Sequence, residues 1–183
     1  MIATLTGKLK SKLNNQIIID VNGVGYCLNV SKNTLDHIGD IDESVILKTD
    51  LQVRDDSILL YGFKFQSELN MFKLLQSIQG IGPRAALAVL SALSVEQIVI
   101  AIKSSDKSAF QQADGIGQRV ATRIVSELQE KIDQFSLANI DIKLKDTKIS
   151  SDRVELNKKI IDDAISAIVN LGYSKSDVFL VVN

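Results

Sequence analysis

One segment of the chain occurs twice, and this repeat constrains the fold more than any other feature of the sequence. The stretch from Gln79 to Ala86 aligns with the stretch from Asp114 to Ala121 at a shift of 35 residues, the separation of Gly80 and Gly115. Both copies contain Gly-Ile-Gly, with an arginine two residues further on. Apolar residues recur at helical spacing around each copy, so each predicts a helix, a tight turn and a second helix.

The repeated turn has the chemistry of an anion site. Glycine permits φ values that a Cβ resists, and it lets another backbone approach closely. The isoleucine between the two glycines can point inward and hold the turn on the core. The turn then presents free N–H groups at the start of the next helix, where the helix dipole also favours an anion. Pro83 at the first helical position gives up only an N–H without an intrahelical partner.

The arginines favour a functional explanation of the repeat. Arg84 and Arg119 lie in a first helical turn, where a cation is unfavourable unless an anion binds nearby. A single Gly-Ile-Gly is equally well explained as an interhelical turn, but two copies with arginine at the same offset indicate phosphate binding. Backbone N–H groups contact phosphates and not base edges, so binding independent of DNA sequence is expected. The predicted phosphate ligands are Gly80, Ile81, Gly82, Arg84, Gly115, Ile116, Gly117, Gln118, Arg119 and Arg123.

The net charge of the chain is consistent with phosphate binding by uncharged backbone groups. The formal net charge of the 183 residues is -1, so no general excess of Lys and Arg attracts DNA. A DNA-binding protein with this balance needs phosphate ligands without side-chain charge, such as helix N-termini. Cys27 and His37 are the only residues of their types, which excludes an internal disulfide and a Cys/His metal cluster. We expect Cys27 to be a buried or half-buried strand thiol and His37 an exposed turn residue.

The periodicity of apolar residues divides the chain into four regions. Residues 1–64 carry period-two and β-branched runs between turn signals, which predict a small β-barrel; an OB-fold and an SH3-like barrel both fit. Residues 65–134 predict a compact all-α domain that contains both hairpins, with a capping box at Ser94. Residues 135–152 have no period and predict a flexible linker. Residues 153–183 predict a small helical unit, so the fold class is multidomain α+β.

Several other classes of protein are disfavoured. No apolar run reaches the about 20 residues that a membrane-spanning helix needs, and the N-terminus has no signal-peptide core, so a cytoplasmic location is expected. The chain has no Gly-x-x-x-x-Gly-Lys-Ser/Thr phosphate loop, so it is not expected to hydrolyse ATP. No cofactor and no metal site are expected.

With these motifs in view, the chain resembles the helix-hairpin-helix proteins, in particular the RuvA family, which binds Holliday junctions during bacterial branch migration. Both hairpins carry the likeness, together with Met1–Leu9, Val21–Tyr26, Val53–Asp56 and Leu59–Phe63. The order of domains fits as well. The resemblance implies an N-terminal OB-fold barrel, a tandem helix-hairpin-helix domain, a flexible linker and a small helical, UBA-like C-terminal domain.

The resemblance also implies how the protein acts. A homotetramer would bind a Holliday junction opened flat, in recombination and DNA repair, with the hairpins holding the arms by their phosphates. Arg54, Asp55 and Asp56 would form the family's acidic pin near the junction centre. Carboxylates repel phosphates there, which helps to keep the crossing strands apart. From the residues alone, a polar hairpin turn is the simpler interpretation of the two aspartates.

Partner proteins are implied in the same way. The RuvB motor ATPase would supply the work of branch migration, and the RuvC resolvase is a further candidate partner. Ile168, Leu171, Gly172 and Tyr173 would dock the motor, although packing within the C-terminal unit explains their apolar side chains equally well. Gln118 stands where the family often has a basic residue, so weaker phosphate binding is expected at the second hairpin. The chain ends soon after the second predicted C-terminal helix, where the family usually has a third, so the resemblance leaves the strength of motor docking open.

Two other functions compete with junction binding. A helix-hairpin-helix glycosylase or nuclease usually places a Lys or Asp just beyond the hairpin, whereas Gln118, Arg119 and Val120 follow Gly117 here. A general OB-type scaffold would lack the tetramer. We therefore expect a non-catalytic DNA-binding subunit.

Overall fold

The computed structural model describes residues 1–54 and 57–132, together with Phe135, and for Arg54 it describes the backbone only. The chain divides after Asn139, and all of these residues precede that point. Asp55 and Asp56 lie outside the described residues. So does the predicted linker, apart from Phe135, and so does the predicted C-terminal unit.

Five strands close into a barrel at the N-terminus. They are β1 (Thr4–Leu13), β2 (Gln16–Val21), β3 (Val24–Val30), β4 (Ser44–Arg54) and β5 (Ser57–Phe63). Around the barrel their order is β1-β2-β3-β5-β4, and β4 pairs with β1 to close it. All neighbours are antiparallel except β3 and β5, which pair in parallel at Asn29–Tyr61 and Val30–Gly62. The closed five-stranded barrel confirms the predicted OB-fold class.

Alternation along the strands places aliphatic residues inside the barrel. Leu28 and Val30 of β3 are fully buried, and they pack with residues of the other four strands. Cys27 lies between inward-facing positions of the same strand and is exposed. The expectation of a buried or half-buried thiol was therefore wrong, because successive side chains of a strand point to opposite faces.

A short helix after β3 was not predicted. α1 (Lys32–His37) begins after Ser31, whose hydroxyl oxygen accepts a hydrogen bond from the backbone N–H of Thr34 at 3.0 Å. Six residues are too few to show helical periodicity in the sequence. His37 is exposed as expected, but it ends this helix instead of lying in a turn.

The helical domain follows directly. Its helices are α2 (Gln66–Gln76), α3 (Pro83–Ala92), α4 (Val95–Lys103), α5 (Lys107–Phe110) and α6 (Gln118–Leu128). The capping box predicted at Ser94 is present: Gln97 N donates to the Ser94 hydroxyl at 3.2 Å, and Ser94 N donates to Gln97 Oε1 at 2.8 Å. Among the described residues, no single helix is long and apolar enough to cross a membrane; α3 and α4 meet the criterion only as a pair, bent by 93°.

The barrel and the helical domain share buried contacts. Tyr61 and Phe63 of β5 pack on Phe72 of α2, with ring centroids 5.1 and 4.8 Å apart. Glu68 of α2 is also buried, and its carboxylate accepts hydrogen bonds from the hydroxyls of Ser31 and Thr34. Burial raises the pKa of Glu68, although both hydroxyls oppose the shift. The barrel therefore fixes the helix that leads into the first hairpin.

Candidate nucleic-acid interface

The first hairpin joins α2 to α3 through a hydrogen-bonded turn. Ile78 N donates to the Leu75 carbonyl and Ile81 N to the Ile78 carbonyl, both at 3.1 Å. Gly80 adopts a φ of +93°. Gly82 precedes α3 in an extended conformation, and its carbonyl accepts from Ala86 N at 3.0 Å, which starts the helix.

The second hairpin, between α5 and α6, repeats these bonds 35 residues later. Ala113 N donates to the Phe110 carbonyl and Ile116 N to the Ala113 carbonyl, again at 3.1 Å. Gly115 has a φ of +77°, and the carbonyl of Gly117 accepts from Ala121 N at 3.0 Å. The sequence repeat is therefore also a repeat of backbone geometry.

The residues between the glycines hold both turns on the core. Ile81 is 4% exposed and Ile116 is 5% exposed, and both belong to the helical core. The inward orientation expected for them is confirmed. Their burial means that they position the backbone, while the neighbouring glycines are exposed.

The two glycines of each turn have different structural roles. Gly80 and Gly115 need the left-handed region that glycine enters without a Cβ penalty. Gly82 and Gly117 have φ values of -87° and -85°, which other residues also adopt, so only the first glycine of each turn uses the conformational freedom of glycine. A Cβ at Gly82 or Gly117 would meet nothing within 4 Å. Their lack of a side chain instead leaves room for an external group to approach the backbone.

The hairpin helices begin without side-chain caps. α1, α4 and α5 are capped by the side chains of Ser31, Ser94 and Asp106, and α2 has no such cap but carries Glu68 in its first turn. α3 and α6 begin at glycine and have neither a side-chain cap hydrogen bond nor an acidic residue in the first turn. The first N–H groups of a helix have no intrahelical partner, so those of α3 and α6 can donate to an external anion.

Asp106 shows what such donors do to an anion. Its carboxylate accepts hydrogen bonds from the Ser108 hydroxyl and from the backbone N–H groups of Ser108 and Ala109 at the start of α5. The Ser108 hydroxyl, followed by these backbone donors, lowers the pKa of Asp106. The start of α5 therefore stabilises a negative charge. At the starts of α3 and α6, no side chain of the described residues caps the helix and no acidic residue lies in the first turn.

The side chains predicted to bind phosphate divide into two groups. Arg84, Gln118 and Arg119 are exposed in the first turns of α3 and α6. Arg123 lies one turn further along α6, and its Nη1 donates to the backbone carbonyl of Gln79 at 2.8 Å. The second hairpin therefore reaches the turn of the first through Arg123, a link that the sequence did not reveal.

Residues of both hairpins border one groove. The groove has a volume of about 1200 Å³ and lies between the barrel, α3 and the second turn. Arg84 and Gly115 line it, together with Asn14 and Asn15 of the β1–β2 turn and Lys32 of α1. One predicted phosphate ligand of each hairpin therefore borders this groove. Among the described residues, no group of three or more His, Cys, Asp or Glu could hold a metal ion.

Comparison with known proteins agrees with this architecture. Residues 1–62 match the RuvA N terminal domain, and residues 72–130 match the SAM-like helix-hairpin-helix tandem. The chain is 40% identical over its whole length to a protein of Zymomonas mobilis, of which it covers 87%. It belongs to the RuvA family. Relatives in Azorhizobium caulinodans and Methylorubrum extorquens are 40% and 43% identical over 96% of the chain, which covers 84% and 83% of them.

These relatives share one name, Holliday junction branch migration complex subunit RuvA. The resemblance found in the sequence is therefore confirmed at the level of the family. The phosphate-binding roles of the two hairpins rest on the geometry described above, and they remain predictions.

The structure describes only some of the other residues to which the resemblance assigns a role. Arg54 and Ser57 form the last cross-strand pair before the turn between β4 and β5. Asp55 and Asp56, the predicted pin carboxylates, lie outside the described residues, as do the predicted docking residues Ile168, Leu171, Gly172 and Tyr173. The cross-strand pair next to the pin, Val53 and Ile58, is 68% and 72% exposed, so the hairpin extends beyond the barrel core.

Proposed function

We propose that the chain binds Holliday junctions in a structure-specific and sequence-independent way, as a homotetramer, and holds them open for branch migration. The observation that carries the proposal is the pair of uncapped helix starts at Gly82 and Gly117, which share backbone geometry and an exposed arginine. Donors of this kind bind phosphates, which every DNA sequence presents in the same way.

Each hairpin would hold one stretch of phosphate backbone. In the first hairpin, Pro83 lacks an N–H, and the donors are those of Arg84 and Ala85, supplemented by the Arg84 guanidinium. In the second hairpin, Gln118 adds a backbone N–H where Pro83 has none. This extra donor partly offsets the missing basic side chain that made weaker binding the expectation.

The preference for a junction would come from the acidic pin. In the sequence, Asp55 and Asp56 lie between Arg54, the last residue of β4, and Ser57, the first residue of β5. Two unit charges about 4 Å apart repel by about 1 kcal/mol in water and by about 4 kcal/mol at a protein surface. Continuous duplex beside the acidic pin would experience this repulsion, whereas an opened junction would offer space between its strands.

The rest of the chain would serve assembly. We assign residues 1–64 to the OB-fold barrel, 65–134 to the hairpin domain, 135–152 to a flexible linker and 153–183 to a docking domain for the RuvB motor ATPase. The name of the relatives, a complex subunit, supports a partner of this kind. The chain itself would be non-catalytic and cytoplasmic and would need no cofactor, and RuvC is a further candidate partner.

A gel-shift experiment tests the proposal. A four-way junction and a linear duplex of the same sequence and length are titrated with the full chain at one stated salt concentration, since affinities for DNA depend on salt. We expect the junction to bind at least about tenfold more tightly, a difference of about 1.4 kcal/mol. Equal affinity would contradict the proposal. The mass of the complex in solution separates a tetramer from a monomeric OB-type scaffold.

A further inference from the structure

The β4–β5 hairpin that carries the pin is tied to the end of α2, the helix that enters the first DNA-binding turn. Gln52 of β4 donates from Nε2 to Gln76 Oε1 at 2.7 Å. Gln76 is the last residue of α2, and Gln52 lies two residues before Arg54. This hydrogen bond therefore links strand β4 to the helix that leads into the first hairpin.

Neighbouring contacts extend the bond into a network. Gln52 Nε2 also donates to Asp50 Oδ2 at 3.1 Å, and Lys73 Nζ lies 3.6 Å from Asp50 Oδ1. The Asp50 side chain is 20% exposed, so this ion pair is partly shielded from water. We call these four residues, Asp50, Gln52, Lys73 and Gln76, the polar brace.

The position of the brace matches a mechanical need. Leu51 and Leu60 pair where the hairpin still packs on the barrel core, whereas Val53 and Ile58, the next pair on the same face, are exposed. A two-stranded hairpin is marginally stable by itself and needs packing against another element. The opposite face supplies that packing, because Gln52 and Leu59 face α2 and the helical core.

We propose that the polar brace positions the acidic pin relative to the first hairpin and thereby contributes to the choice of a junction over duplex. This inference rests on the proposed function, since it assumes that the pin provides junction preference. In this proposal the four residues are positioning residues that act through Asp55 and Asp56. Repulsion between charges varies with distance, so a displaced pin discriminates less.

The test compares the ratio of junction affinity to duplex affinity in variants of the full chain. Gln52→Ala and Gln76→Ala each remove the central bond. We expect each to lower the ratio by about three- to tenfold, with duplex affinity within about twofold of the wild type, and the double variant to lower it no further. A general loss of stability would lower the active fraction equally for both DNAs and leave the ratio unchanged.

Two further variants complete the experiment. Gln97→Ala removes a glutamine of the α4 capping box and is expected to reduce stability without changing the ratio. Gln52→Lys combined with Gln76→Glu replaces the bond by an ion pair, with the new cation beside Asp50 and the new carboxylate beside Lys73, and is expected to restore the ratio. A wild-type affinity ratio in both alanine variants would contradict the proposed role of the brace. So would a double variant whose loss equals the sum of the two single losses.

The outcome also separates the brace from the proposed function. If the wild type shows junction preference and Asp55→Asn with Asp56→Asn removes it, the pin is established whatever the brace variants do. If the brace variants then leave the affinity ratio unchanged, only the proposed role of the polar brace is contradicted. If the wild type shows no junction preference, the proposed function fails and the brace fails with it.

Discussion

The two hairpins have the same backbone and different side chains. The turn hydrogen bonds, the positive φ of the first glycine and the uncapped helix start all recur 35 residues apart. By contrast, Pro83 is aligned with Gln118, and Ala88 with Arg123. What the two copies share indicates what both must do, and they share backbone donors, open space at the second glycine and one arginine. The phosphate binding proposed above would account for all three, because backbone donors and a cation both favour an anion and the open space lets it approach.

The largest expected effect comes from filling the open space in either copy. Gly82→Val or Gly117→Val adds a side chain where nothing lies within 4 Å, so folding should be little affected. The side chain would block the approach of a phosphate and cost at least one charge-assisted hydrogen bond, about 1.5–3 kcal/mol or about 10- to 150-fold in junction affinity. Gly25→Ala on the barrel is the control. Unchanged binding in both valine variants would show that the glycines serve the turn alone.

A smaller effect is expected from the shared arginines. Arg84→Gln and Arg119→Gln each remove one cation from an exposed first turn. Since each phosphate bound by a cation contributes about 0.9 to the slope of log K against log salt, each variant should flatten that slope by about this amount for every phosphate its arginine binds. Fluorescence titrations from low to moderate salt would measure it. A flatter slope for one arginine only would mean that the two hairpins do not bind DNA alike.

The side chain of Arg123 allows a test of whether the two hairpins are structurally linked. Arg123→Gln loses the hydrogen bond to the Gln79 carbonyl, so amides in the first turn should exchange with solvent faster even without DNA. Hydrogen exchange detected by NMR would show this at Ile78 and Ile81, whose amides are hydrogen-bonded within the turn. Glu127→Gln, which removes the carboxylate 3.5 Å from Arg123 Nε, is the control. If the first turn keeps its protection in Arg123→Gln, the two hairpins are not linked through this side chain.

The smallest effect concerns the helix that leads into the first hairpin. Burial raises the pKa of Glu68, so the carboxyl stays protonated in the folded chain at a pH where the unfolded chain is already ionised. The resulting stability is present below the unfolded pKa and is lost as pH rises through the folded pKa. Glu68→Gln should therefore raise the melting temperature relative to the wild type more at neutral pH than at acidic pH. An equal difference at both would contradict the assignment.

The sequence predicted the features that depend on repetition and period. Gly-Ile-Gly at a constant offset identified both turns, and period-two runs identified the barrel. Features that depend on contacts between distant residues were not predictable: the Arg123–Gln79 bond spans 44 residues, and the Gln52–Gln76 bond spans 24. The exposure of Cys27 was also missed, because a strand's sequence shows its period more clearly than which face is inside.

The most direct test of phosphate binding by both hairpins follows their backbone amides by NMR as junction DNA is added. We predict that Arg84 and Ala85 in the first hairpin, and Gln118 and Arg119 in the second, shift together and gain protection from exchange. Amides in the α4 capping box at Ser94 should not move. Shifts confined to one hairpin, or to the barrel, would contradict the account.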